Sequence, residues 1–248
     1  MKGMQEEWLQ PMKNLKDAQI GIYPRRNPLR EFVEEAATRY DPDPEHNKRV
    51  TSFAMVLFDG LRPMHGYGYG ERGLLQVAAR LHDIGKHRAV SGDHHKLSRD
   101  MILEFDIPGF TEQDRLACSL IARYHTKALP NPSRHRQFAS LDYDRQQIVE
   151  WLAGILRVAD GLDCSHFGTI DRVKCGIGPG AIHLWLDTAG DCRRQIERAR
   201  QKGELLVHKA GRPIQYLYGL GPFRRHSEDR PYASFRNTRG PLRSLSLQ

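Results

Sequence analysis

The chain has 248 residues and a mass of 28.5 kDa, enough for one large domain or one domain with a small appendage, and it carries a formal net charge of +8 with a sequence pI near 9.4. Its four cysteines, Cys118, Cys164, Cys175 and Cys192, are far apart and form no CxxC pair, which argues against a disulfide scaffold and against a zinc knuckle. No apolar run approaches the roughly 18 residues of a membrane span, and the polar N-terminal MKGMQEEWLQPMKN carries no secretory segment, so a cytoplasmic protein without membrane contact is expected.

Residues 1–42 read as a lead-in with one short helical stretch near LREFVEEAATRY. The first strong helix follows: Asp43 caps it, Pro44 suits its first turn, and Val50, Phe53, Ala54, Leu57 and Leu61 recur at three- and four-residue intervals. His46 stands one turn before Val50 and faces inward with it. A second helix over about 71–84 carries Leu74, Leu75, Val77, Ala78 and Leu81, with Gly85 as its stop and His82 and Asp83 on its last turn. A third runs from about His94 to Phe105 with Leu97, Met101, Ile102 and Phe105 as its apolar face. Thr111 followed by Asp114, with Phe110 in front, predicts a capped helix through Leu116, Leu120, Ile121 and Tyr124 to His125. After the loop LPNPSRHRQF, a long helix over about 145–162 buries Ile148, Trp151, Leu152, Ile155, Leu156 and Ala159, and Asp160 continues that stripe.

Past residue 168 the period changes from helix to strand. IDRVKCGI and AIHLWLD read as strands joined at GPG, CRRQIERARQKG as a short helix, and PIQYLYG as a third strand. The fold class expected is therefore mainly α, a helical bundle over 43–168 with a small α+β appendage over 169–220. Residues 221–248 form a basic tail, in which six arginines face only Glu228 and Asp229 and carry half of the net charge. That location weakens the case for a nucleic-acid partner, since the rest of the chain is mixed in sign.

The helices direct a chemically coherent set inward: His46, His82, Asp83, His94, His125 and Asp160. A buried carboxylate in an apolar stripe requires a partner, and a metal ion is one. Taken singly each residue has a plainer reading: Asp160 could pair with Arg157, His125 could cap a helix end, and His95 competes with His94 for one role. Together, four imidazoles and two carboxylates can hold one octahedral ion or two ions about 3.5–4 Å apart bridged by Asp83. Imidazole-rich ligation favours Mn, Fe, Co, Ni or Zn over magnesium.

The order His46, His82-Asp83, His94, His125, Asp160 resembles the metal-binding pattern of the HD phosphohydrolase superfamily. The segments LLQVAARLHDIGKHRAVSGDHHKLSRDMI, GFTEQDRLACSLIARYHTKALP and LAGILRVADGLDCSHFGTI resemble more closely the C-terminal HD-like part of the exopolyphosphatase and guanosine pentaphosphate phosphatase family, over about 42–219. One departure is Leu97, where that family often has a further histidine. The family's N-terminal actin-like catalytic domain has no counterpart in the first 42 residues. The resemblance implies a phosphate-rich partner, a nucleotide, guanosine polyphosphate or polyphosphate, and one or two divalent transition-metal ions.

On that basis Asp83 and Lys86 are the expected catalytic residues, with Lys86, Arg88, Arg123 and Lys127 placed to neutralise substrate phosphates. His95, Asp163 and His166 are expected to orient the ligands from behind. The leading expectation is an enzyme, a phosphohydrolase working through a metal-activated hydroxide. The alternative is a non-catalytic HD-like module that binds polyphosphate or a phosphorylated nucleotide in a regulatory role, as a homodimer or beside a separate catalytic protein.

Overall fold

The computed structural model describes residues 27–89 and 92–220; most of the expected lead-in and the whole basic tail lie outside the described residues. In chain order the elements are α1 (Pro28–Tyr40), α2 (Pro44–His65), α3 (Tyr69–Leu81), a 3-10 turn (Ile84–Arg88), α4 (His94–Glu104), α5 (Glu112–Arg123), α6 (Arg136–Ala139), α7 (Tyr143–Leu162), β1 (Ile170–Ile177), β2 (Ile182–Thr188), α8 (Arg193–Lys202), α9 (Glu204–Ala210) and β3 (Ile214–Leu220). The architecture is mainly helical with a small C-terminal sheet, as the sequence pattern predicts.

Local chemistry sets several of the helix starts. Asn27 accepts from the backbone of Arg30 at the head of α1, and Asp43 accepts from the backbone N–H of His46 at 3.2 Å at the head of α2. The expected reciprocal cap at Thr111 and Asp114 is formed in full. The ends differ more from expectation. α2 runs on past Leu61 to His65 and stops where Gly66 turns left-handed at φ 71°. α3 ends at Leu81 and α5 at Arg123, so His82 and His125 lie just outside the helices expected to carry them.

Gly85 is not a helix stop. A Cβ there would sit 2.4 Å from the carbonyl oxygen of His94 and 2.5 Å from the amide nitrogen of Ser98, so the glycine permits α4 to lie against the 3-10 turn. On α4 the buried face is His95, Ser98, Met101 and Ile102; Leu97 is only half-buried and Phe105 lies beyond the helix.

α7 begins at Tyr143, capped by Asp142, and is buried around most of its circumference from Leu152 to Ala159; Ile148 and Trp151 are only partly covered. A single stripe was expected because the amphipathic pattern reports one face, whereas α8 and α9 cover the other. At Gly161 a Cβ would lie 2.6 Å from Ala199 Cα, which measures how closely α8 approaches. α9 and the single-turn α6 were not anticipated; both are short and weakly periodic. The strands form one sheet in the order β1-β2-β3, with β2 antiparallel to β1 and parallel to β3. Ile182, Leu184 and Leu186 turn inward from β2, and they join the helices' apolar residues in one cluster. The four cysteines are free thiols, and no helix among the described residues is long and apolar enough to cross a membrane.

Candidate functional site

The six predicted ligand residues converge on one point in the bundle. His46 comes from the first turn of α2, His82 and Asp83 from the end of α3, His94 from the first residue of α4, His125 from beyond α5 and Asp160 from the last turn of α7. His46, His82, Asp83 and His125 are buried, and Asp160 and His94 are partly exposed at the edge.

Three of the imidazoles are aimed from behind. His82 Nδ1 donates to the carbonyl of Ala79 at 2.8 Å, His125 Nδ1 to that of Ala122 at 2.6 Å, and His46 Nδ1 to Asp163 Oδ2 at 2.8 Å. These bonds assign the proton to Nδ1 and leave a lone pair on each Nε2, directed into the centre. There the lone pairs meet other acceptors. His46 Nε2 is 3.3 Å from Asp160 Oδ1 and 3.8 Å from Asp83 Oδ2, while His82 Nε2 is 3.5 Å from Asp83 Oδ2 and 3.8 Å from Asp160 Oδ1. On the other oxygen of Asp83, Oδ1 lies 3.4 Å from His94 Nε2 and 3.6 Å from His125 Nε2, and those two nitrogens are 3.2 Å apart.

His46 Nε2, His82 Nε2 and Asp83 Oδ1 are buried with no hydrogen-bond partner among the described residues. Acceptors facing acceptors in a buried site are unfavourable unless a cation lies among them. The donor set fits a divalent transition metal: His46, His82 and Asp160 form one group able to hold an ion, and His82, Asp83 and His125 a second.

A family model described as Ppx/GppA phosphatase, domain III, matches residues 30–187, more than half of the chain. The chain belongs to the Ppx/GppA domain III family. Within this domain III chain the match spans α1 to β2 and so contains every residue of the convergent set, while α8, α9 and β3 lie beyond it.

The electrostatics follow from the burial. Burial pulls His82 down to about 4 against the opposing charge of Asp83, and it pulls His125 well below the ordinary histidine value. Burial works against the charge on Asp83 as well, yet His82, His125 and Lys86 hold its carboxyl well below the usual carboxylate range. Asp163, also opposed by burial, is kept low by His46 and by Arg49, whose Nε lies 3.0 Å from Oδ2.

The residues expected behind the ligands are placed unevenly. Asp163 orients His46, and His166 stacks its ring on that of His46 at 3.9 Å while bonding Asp43 through Nδ1 at 2.6 Å. His166 holds φ 63°, a left-handed conformation sustained in part by Arg49 on its carbonyl. His95 is buried, its ring 5.7 Å from that of His94, and burial and then His94 pull it down to about 4.

Of the four cations expected to meet phosphate, only Lys86 contacts the centre, with Nζ 2.5 Å from Asp83 Oδ2. Arg123 is half-buried over the Tyr124 ring with Nη1 unpartnered among the described residues; Lys127 is turned to the carbonyl of Gly92; Arg88 is exposed.

Arg157 does not pair with Asp160. Its guanidinium is buried and donates to the carbonyls of Lys202 and Tyr124 at 2.8 and 3.0 Å. The partner of Asp160 is Lys202, the last residue of α8, which reaches in with its ammonium group on Asp160 Oδ2. Lys202 and Arg49 were both missed. α8 reads as a solvated basic helix, but Ile196, Ala199 and Lys202 are three residues apart on its buried side, and that spacing was the available signal.

Proposed function

We propose that this domain III chain is a metal-dependent phosphohydrolase acting on a guanosine polyphosphate, other nucleotide or polyphosphate-like substrate. The phosphatase family supplies the substrate class, and the reading rests on one observation: the buried nitrogens of His46, His82 and His125, each with a proton held on the opposite side of its ring, face carboxylate oxygens at 3.3–3.8 Å. His46, His82, Asp83, His94, His125 and Asp160 would hold the metal. A bound divalent ion would supply Lewis acidity toward a phosphoryl oxygen and lower the pKa of water.

The chain's own groups have separate parts to play. Asp83 presents one oxygen to His46 and His82 and the other to His94 and His125, so it can serve both halves of the centre. Lys86, half-buried against Asp83, is the cation best placed to meet the charge of a phosphoryl group. Asp163 keeps the proton of His46 on Nδ1, which leaves Nε2 available as a ligand.

The second reading, a non-catalytic phosphate-binding module, is favoured by the two lysines, whose charges already match Asp83 and Asp160. Elemental analysis, reconstitution with Mn2+ or Fe2+, and turnover of a panel of nucleotides and polyphosphates separate the two. The expected result is one to two equivalents of a transition metal, with Asp83→Asn folded, depleted of metal and at least about a hundredfold slower. Metal without turnover of any phosphate compound selects the binding module. A protein that neither carries nor takes up metal refutes the metal site.

A further inference from the structure

The two halves of the convergent site differ in what already neutralises them. On the side of Asp83 Oδ1, His94 and His125 present nitrogens only, and the carboxylate oxygen is unpartnered among the described residues. On the side of His46, His82 and Asp160, an ammonium group is present, because Lys202 sits on Asp160 Oδ2. Its side chain is about nine-tenths buried, an unusual place for a lysine, and the position is secured from its own backbone: Arg157 Nε donates to the Lys202 carbonyl at 2.8 Å, and the same guanidinium donates to the carbonyl of Tyr124, next to His125. Lys202 lies beyond the segment that matches the family, so the match does not imply it.

The charges decide what the arrangement can accept. Asp83 and Asp160 are matched by Lys86 and Lys202, and Asp163 is matched by Arg49. With Lys202 in its ammonium form, one divalent ion makes this centre positive by two, and a phosphorylated substrate can offset that. A second ion would have to share Asp160 with the buried ammonium of Lys202, at a distance where like charges repel strongly.

We propose that Lys202 is a tethered cation standing in for a second metal ion, so that the centre takes one divalent ion, on the side of Asp83 Oδ1, His94 and His125. This rests on the metal reading above and restricts it: the appendage, through α8, determines how many ions the bundle can hold. The His46 and His82 nitrogens then face the Lys202 side as part of a site that is filled from within the chain.

The test is Mn2+ stoichiometry, by calorimetric titration and elemental analysis of the full chain. Wild type should take one equivalent. Lys202→Met keeps the apolar stem and removes the charge; it should take two, with the first ion bound at least roughly tenfold more tightly, the direction expected from removing a unit positive charge nearby. Adding His46→Ala to Lys202→Met should return the count to one. Should Lys202→Met fail to fold, Lys202→Gln retains a donor for Asp160 and is titrated in its place. Two equivalents in wild type overturn the proposal and leave the metal reading intact, as does one equivalent in both wild type and the Lys202 variant. No ion in any of them refutes the metal reading and the proposal together.

Discussion

Gly85→Ala tests whether the contact between the 3-10 turn and α4 positions His94. The added methyl carbon would lie 2.4 Å from the His94 carbonyl oxygen, 2.5 Å from the Ser98 amide nitrogen and 2.7 Å from Leu97 Cβ. The first two are backbone atoms and cannot rotate aside, so the first turn of α4 must withdraw by about 1 Å to restore ordinary van der Waals separation. Overpacking of this kind costs about 1–3 kcal/mol, and stretching the Gly85 N–H to Ser98 Oγ bond, 2.9 Å long, adds about 1 kcal/mol. The lower entropy of alanine in the unfolded chain offsets about 0.4–1 kcal/mol of this. The net loss is then on the order of 1–3 kcal/mol, visible as a lower urea midpoint by circular dichroism with an unchanged slope. Because His94 is the first residue of α4, its Nε2 recedes with the helix from Asp83 Oδ1 and His125, and Mn2+ affinity should fall by about tenfold or more. A variant with wild-type midpoint and wild-type affinity would refute both the packing and the positioning it is said to provide.

Two further perturbations probe the same region. Arg157→Met leaves the carbonyls of Lys202 and Tyr124 without their buried donor, and thermal or urea unfolding should register a loss of about 2–4 kcal/mol; a loss below about 0.5 kcal/mol would mean that the guanidinium does not link α8 to the end of α5. For metal-free protein, pH dependence follows from the buried neutral histidines. His82 is held near 4 and His125 well below the ordinary histidine value, whereas both protonate near 6.5 once unfolded, so the unfolded chain binds more protons and stability falls as pH drops below about 6.5. The slope is at most about 1.4 kcal/mol per pH unit for each histidine. A urea midpoint that stays flat between pH 7 and pH 5 would contradict it.

Much of the site was legible because helix caps and apolar spacing are local. Asp43 and Pro44 set the start of α2, which placed His46 one turn before Val50, and both are fully buried in the bundle. Asp160 was legible as the polar residue that continues the stripe of α7. The helix ends were not, since the apolar pattern of α3 and α5 does not distinguish a residue in the last turn from one just past it, and His82 and His125 fall on that margin. Lys202 and Arg49 were missed because a cation on a charged helix looks solvated until tertiary packing brings a carboxylate to it. The supposed pairing of Asp160 with Arg157 failed for a related reason: α7 is covered on both sides, and Arg157 faces α8 and the end of α5 rather than Asp160.

His82 and His125 share a construction, a ring just past the end of a helix with its Nδ1 proton given to the carbonyl three residues back. The orientation of each imidazole is thus set by four consecutive residues of its own chain segment and survives any change that leaves that helix end intact. Only the spacing between the helix ends is left to the packing of the bundle. Substitutions at the helix interfaces should therefore act as a graded adjustment of bite size, moving correctly oriented donors nearer or farther, and the ion preferred by the proposed site would shift with it while every donor is kept.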